Sequence, residues 1–197
     1  MKPLILVGGG GHCRAVIDVI EAQEAYEIVG ILDKQTAVGA EVAGYPVVGD
    51  DSALAEWARK GVWFLVTVGQ VGPAGTRRRL FEAVRVYTDR FATVISPLAY
   101  VSGRATIARG CVVMHHALVN AGAVVGCNAI VNSKALVEHD AVIQKHVHVA
   151  TGALVNGGAL VGEGSFVGSG AVVVQAARVP PETFVKAGSV YKGESHG

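Results

Sequence analysis

Seven histidines are spread along the chain, and five of them fall between residues 115 and 148. Imidazole is the side chain whose ordinary titration lies nearest neutral pH, so this cluster marks the region where proton transfer could occur. His139 is followed directly by Asp140, a carboxylate that can fix its tautomer and favour its charged form. A second kind of chemistry is suggested near the N-terminus. Gly8-Gly9-Gly10-Gly11 is followed by His12, and an acidic-basic pair, Asp33-Lys34, comes about twenty positions later. Glycines let a backbone approach a diphosphate, and an acidic residue at a strand end can accept a ribose or nucleoside hydroxyl.

These groups need elements to hold them. The apolar run from Pro3 to Gly8 reads as a buried parallel strand. The glycine turn follows, then a helical pattern through Val16, Ile17, Val19 and Ile20, then a strand from Tyr26 to Leu32. This is a βαβ nucleotide-binding arrangement, in which the helix N-terminus offers free N–H groups to an anion. The G-x-G-x-x-G pattern fails at its third glycine, where Cys13 stands, so the turn does not read as an NAD site. A helix near Ser52–Lys60, a strand over Val62–Gly69 and a helix near Thr76–Val86 complete a small α/β unit. Gly69 ends its strand on the sheet edge that carries the glycine turn. Arg77, Arg78 and Arg79 read as a solvated helix face.

From Val101 to Val185 every sixth residue is Val or Ile, over fifteen successive positions without an insertion. The fifth slot of each hexad is small, Ala in ten of fourteen. A hexapeptide period is the signature of a β-helix: each hexad gives a short strand and a turn, and three close one triangular coil. Slots 18 residues apart then stack at the strand spacing of about 4.8 Å. His139 lies in the third slot, at an exposed corner. His148 takes the sixth slot, which is usually apolar, and such a break in a local rule concentrates at functional sites. His115, His116 and His146 read as surface or wall residues. The spacing 139, 146, 148 does not suggest a three-histidine zinc site, and no metal is expected.

Composition sets limits. The 197 residues are 51% hydrophobic and 17% charged, with net charge +1 and no basic run, so nucleic-acid binding and a polybasic membrane patch are not expected. Three cysteines without a C-x-x-C predict a reducing, cytoplasmic setting. The opening apolar run is too short for a signal sequence or a membrane span. The expected architecture is a Rossmann-like domain over residues 1–96 and a left-handed parallel β-helix over 97–197, with the boundary near Ile95-Ser96-Pro97.

The glycine turn with its histidine, the Leu32-Asp33-Lys34 strand end, the Val66-Thr67-Val68-Gly69 segment and a β-helix carrying Val137-Glu138-His139-Asp140 together resemble the sialic-acid-cluster (NeuD/PglD-like) sugar acetyltransferases. The resemblance covers nearly the whole chain. It implies acetyl-CoA-dependent N-acetylation of a UDP- or GDP-linked 4-amino-4,6-dideoxy sugar in surface glycan (polysaccharide) biosynthesis, by a homotrimer with sites between subunits. It further implies His139 as general base supported by Asp140, with Asn132 lining the same site. Gly10, Gly11, His12, Asp33, Lys34 and Gly69 would contact the nucleotide sugar. His148, Gly157, Ser169 and Ala187 would contact acetyl-CoA. Many members of the family end in a further strand and a G-x-P-A-K segment; this sequence instead runs Ala187-Gly188-Ser189-Val190-Tyr191-Lys192. Sugar O-acetylation, or a non-catalytic stabilising role beside a sugar-biosynthesis enzyme, are the rival readings.

Overall fold

A computed structural model describes residues 1–193. The N-terminal unit runs β1 (Lys2–Val7), α1 (Gly11–Gln23), β2 (Tyr26–Leu32), β3 (Glu41–Val42), β4 (Tyr45–Gly49), α2 (Leu54–Arg59), β5 (Trp63–Val66) and α3 (Gly75–Arg85). The strand order is β3-β4-β2-β1-β5, parallel throughout except for the antiparallel β3–β4 hairpin. β1 is buried on both faces of the sheet, which explains its unalternating Leu4-Ile5-Leu6-Val7 run. α1 buries Cys13, Val16, Ile17, Val19 and Ile20 along one stripe. Cys13 is therefore core, and burial pushes its thiol up to about 11.

The second unit is a left-handed parallel β-helix of two-residue strands in three sheets of six, five and six. Its first strand, Val94–Ile95, pairs with Val112–Val113 and begins three residues before residue 97, the expected start of the second unit. Its last described strand, Val190–Tyr191, pairs with Val172–Val173, so a further strand follows the Val/Ile run. Each strand consists of slots six and one. Slot one points inward, where Val119, Val137, Val155 and Val173 stack in one fully buried column. The slot-five alanines pack beside them in the same core. A buried Val contributes about 1.5–3 kcal/mol, so the columns are the main stabilising feature.

Slot four makes the corner. At every sixth residue from Gly110 to Gly188 the backbone is left-handed, φ lying between +56° and +74°. Glycine, Asn128 and Asp140 suit that conformation; His116, Lys134, His146, Ala176 and Glu182 adopt it at a cost of about 1 kcal/mol or more.

Three faces and three edges follow from this geometry. Face one carries Val112, Ile130, His148, Phe166 and Phe184 outward; face two carries Leu118, Leu136, Leu154 and Val172; face three carries Val124, Val142 and Leu160. The N-terminal unit covers face one, with α1 packing on Val94, Val112 and Met114. The seam is also polar. Arg77 is buried and spans it, donating to Val68 O at 2.7 Å, Asn128 O at 2.7 Å and Asn128 Oδ1 at 2.9 Å. His146, also buried, accepts from Asn128 Nδ2 at 2.9 Å. His115 bridges Ser96 and Asp18, both at 2.7 Å. Arg77 departs from the expected solvated face, being core, whereas Arg78, which meets Glu182 and Glu163, and the exposed Arg79, which meets Asp51, keep contact with solvent. His146 is not a surface group either.

Burial holds His148 down to about 3 and His12 to about 4, in both cases helped by the Arg77 charge. The ordinary value in the unfolded chain is near 6.5. Below that pH the unfolded chain takes up protons that the folded chain refuses, so stability is present above 6.5 and is lost as pH falls toward 4. Each histidine is expected to cost on the order of 1–2 kcal/mol by pH 5. Denaturant midpoints at pH 7 and pH 5 measure this, and an unchanged midpoint would contradict the account.

Candidate active site

One cleft of about 520 Å³ opens on the N-terminal unit, beyond the C-terminal ends of β1, β2 and β5. Gly10, Gly11, His12, Asp33, Lys34 and Gly69 all line it, as the sequence indicated. Gly10 and Gly11 face open space, so a ligand can approach their backbone. Gly10 caps α1 without any side-chain hydrogen bond, and the first turn holds no acidic residue. Its amide N–H groups and the positive end of the helix are therefore available to an anion. Asp33 packs against Gly9 and accepts from Thr36 N at 2.9 Å and Thr36 Oγ1 at 2.6 Å. These bonds hold its carboxyl below the ordinary range although burial opposes them.

Sequence reasoning missed Asp51, Thr76, Arg79 and Gln70, which also line the cleft. Lys34 Nζ and Arg79 Nη1 both contact Asp51 Oδ2, at 3.0 and 3.1 Å. Asp51 caps no regular pattern in the sequence, so nothing there marked it.

His148 lies where the cleft meets face one. A carbonyl can only accept, so His148 Nδ1–H donates to Gln70 O at 2.9 Å. Nε2 then accepts from Asn132 Nδ2 at 3.0 Å. Asn132 is oriented in turn by Ser133 N–H, which donates to its Oδ1 at 2.8 Å. Both nitrogens of His148 are engaged within the chain, so further contact runs through the carbon edge of the ring. His12 lies nearby, with ring centroids 6.2 Å apart.

His139 stands elsewhere, on the edge between faces two and three. That edge is the one opposite face one, and so opposite the cleft. Its side chain is 58% exposed. Nδ1–H donates to Asp140 Oδ2 at 2.9 Å, which leaves Nε2 free to accept a proton. The Asp140 hydrogen bond, and then its charge and that of Glu138, raise the His139 pKa against slight desolvation. Neighbouring coils leave room for this pair. A Cβ on Gly157 would lie 2.6 Å from His139 Nε2, and one on Gly122 would collide with Asp140 Oδ1.

The expected site residues therefore fall into separate groups in one chain. His139, Asp140 and Gly157 share the edge between faces two and three. Ser169 and Ala187, both exposed, share the edge between faces one and two. Asn132 belongs with His148, not with His139, because seven residues carry the chain to the next corner.

Three comparisons bear on the chain. The PglD N-terminal domain family matches residues 3–84. The UDP-N-acetylbacillosamine N-acetyltransferase of Bacillus subtilis (strain 168) is 34% identical over 116 residues, 58% of this chain. That match spans only 52% of the relative's own length. The acetyltransferase domain of PglB from Neisseria gonorrhoeae FA1090 superposes with a TM-score of 0.90 at 32% identity, covering 98% of this chain and 92% of that one. A histidine variant of GDP-perosamine N-acetyl transferase from Caulobacter crescentus, in complex with CoA and GDP-perosamine, gives 0.88 at 31%, covering 98% and 90%. Similarity of this extent, over both units and the seam between them, places the chain in the PglD-like family of sugar acetyltransferases.

Proposed function

We propose that the protein transfers the acetyl group of acetyl-CoA to the amino group of a nucleotide-diphosphate-linked 4-amino sugar. The observation that carries this reading is His139. It is exposed, its Nδ1 is committed to Asp140, its Nε2 is free, and it lies beneath a glycine that leaves space beside that nitrogen.

The glycine turn and the uncapped start of α1 would take the diphosphate, with Lys34 alongside. Asp33 would receive a hydroxyl of the nucleoside. Acetyl-CoA supplies a thioester carbon open to nucleophilic attack. As the amine nitrogen bonds to that carbon, one of its protons passes to His139 Nε2, and the C–S bond breaks with its electron pair going to sulfur. A thiolate needs little acid assistance, so one base suffices. Asp140 keeps Nδ1 protonated and stabilises the imidazolium. Two of the relatives are named as a UDP-N-acetylbacillosamine N-acetyltransferase and a GDP-perosamine N-acetyl transferase, which supports the class of acceptor.

Within one chain His139 and the nucleotide cleft lie on opposite sides of the prism. The reading therefore includes a homotrimer in which one subunit's edge meets another's cleft. Faces two and three support it. Leu118, Leu136, Leu154 and Val172 form one half-buried apolar ladder, and Val142 and Leu160 continue on the other face with the exposed Val124. Ser169, Ala187 and the Asn132–His148 pair would then line the cofactor groove from the neighbouring side.

His139→Ala is expected to lower kcat by about 10²–10⁴-fold without loss of folding. The rate should rise with pH through the raised pKa of His139, since the base must be neutral to act. Asp140→Asn removes the principal cause of that raised value, so the limb should move to lower pH while the plateau falls. Free-thiol release with UDP- and GDP-linked amino sugars measures both, and a wild-type kcat in folded His139→Ala would refute the assignment. Gly157→Ala should cut kcat by more than it raises either KM, because the added methyl displaces the imidazole; equal kcat would mean the ring does not sit there during turnover. Finally, co-assembled His139→Ala and Asp33→Ala chains should regain activity that neither has alone. Absence of complementation in a verified mixed trimer would place each site within one chain.

A further inference from the structure

The corner that carries His139 is held from the coil below through an intervening carboxylate, whereas at Glu163 the coil below acts directly, Gln144 Oε1 accepting the slot-three N–H at 2.9 Å. Slot-three N–H groups have no backbone partner in this fold. At Ala121 and Ser133 the preceding asparagine's own Oδ1 accepts that hydrogen, at 2.8 Å in each case. At His139 the acceptor is Glu138 Oε2, at 3.0 Å. A glutamate carboxylate on a three-bond tether has many rotamers, and something must select this one. The coil below does so: Asn120 Nδ2 donates to the same Oε2 at 2.9 Å. The Ala121 N–H bond to Oδ1 fixes which end of the Asn120 amide points upward. Two more contacts from that segment complete the seat. Asp140 N–H donates to Ala121 O at 3.0 Å, and Gly122 leaves room for the Asp140 carboxylate.

We propose that Asn120 is a positioning residue for the base: it locks the Glu138 carboxylate onto the His139 amide, and so sets the orientation in which His139 Nε2 receives the proton. The inference rests on the reading of His139 as general base. Asn120 touches neither reacting group itself. Glu138 also faces His139 as a negative charge alongside Asp140, while Gly122 below and Gly157 above bring no charge, so these two carboxylates dominate the local field. A carboxylate held by two N–H donors is charge-assisted, and its loss at a half-exposed site is expected to cost several-fold and up to about tenfold in kcat.

The test uses the full-length protein and three variants, Asn120→Ala, Asn120→Asp and Glu138→Gln, each checked for folding by thermal melt. Asn120→Ala should lower kcat several-fold with both KM values unchanged. Asn120→Asp adds a carboxylate that repels Glu138, so it should lower kcat at least as much while moving the His139 titration to higher pH. Glu138→Gln removes a charge and should move it to lower pH. The titration is read directly by NMR on the imidazole Cε1–H, assigned with His139→Ala, and so does not depend on turnover. In a His139→Ala background Asn120→Ala should have no further effect on the residual rate. An equal loss from Asn120→Ala in both backgrounds, or a loss expressed in KM alone, would overturn the positioning role. If His139→Ala itself keeps full activity, the base assignment fails, while the NMR shifts still report whether Asn120 seats the corner.

Discussion

The constraint on which everything else depends is the left-handed backbone at slot four of each hexad from Gly110 to Gly188. It turns the chain at a fixed interval, so residues 18 apart fall in register over each other. Once that is imposed, Val and Ile columns fill the interior and mostly alanines fill the narrow corners, with Cys111 and Val147 as buried exceptions. A residue's slot then decides whether it faces the core, a flat face or an edge. Chemistry can be placed at an edge without disturbing the columns that stabilise the fold.

His139 and Asp140 occupy slots three and four of one such turn. Asp140 tolerates the positive φ better than most residues because its short polar side chain suits that conformation. Its carboxylate thereby meets the preceding imidazole, and two adjacent residues form a hydrogen-bonded His–Asp pair. The glycines one coil above and one coil below serve this pair for different reasons. Gly122 is a corner glycine whose missing Cβ admits Asp140, whereas Gly157 has no positive φ and is small because the imidazole lies against it.

The seam between the two units solves a different problem. It buries a guanidinium with no carboxylate against it, whose two terminal nitrogens donate to backbone carbonyls and to the Asn128 side chain while Nε–H is left without a partner among the described residues. Removing such a charge from water is costly unless its donors are all used in good geometry. The positive charge in turn helps keep His12 and His148 neutral, and a neutral His148 can donate at one nitrogen and accept at the other. The loop at Gln70 is tied through this histidine to the β-helix, which sets one wall of the cleft relative to the second unit.

The hexad period, the corner chemistry and the strand-glycine-helix start could be read from the sequence, because each is a local pattern with a short repeat. So could the membership of Gly10, Gly11, His12, Asp33, Lys34 and Gly69 in one cleft, since strand ends of a parallel sheet converge on a single edge. His139 with Asp140 was legible for the same reason: the pair is contiguous. What tertiary structure decided are contacts between residues far apart in sequence. Asp51 joining Lys34 and Arg79, Arg77 crossing to Asn128, and Gln70 meeting His148 have no period to announce them. Arg77 read as a surface residue because arginine on a helix is usually solvated; only the second unit packed over it makes it core. The separation of His139 from the cleft was likewise hidden. It depends on which face of the triangular prism the first unit covers, and that choice is made by long-range packing of α1 on face one rather than by any residue near either site.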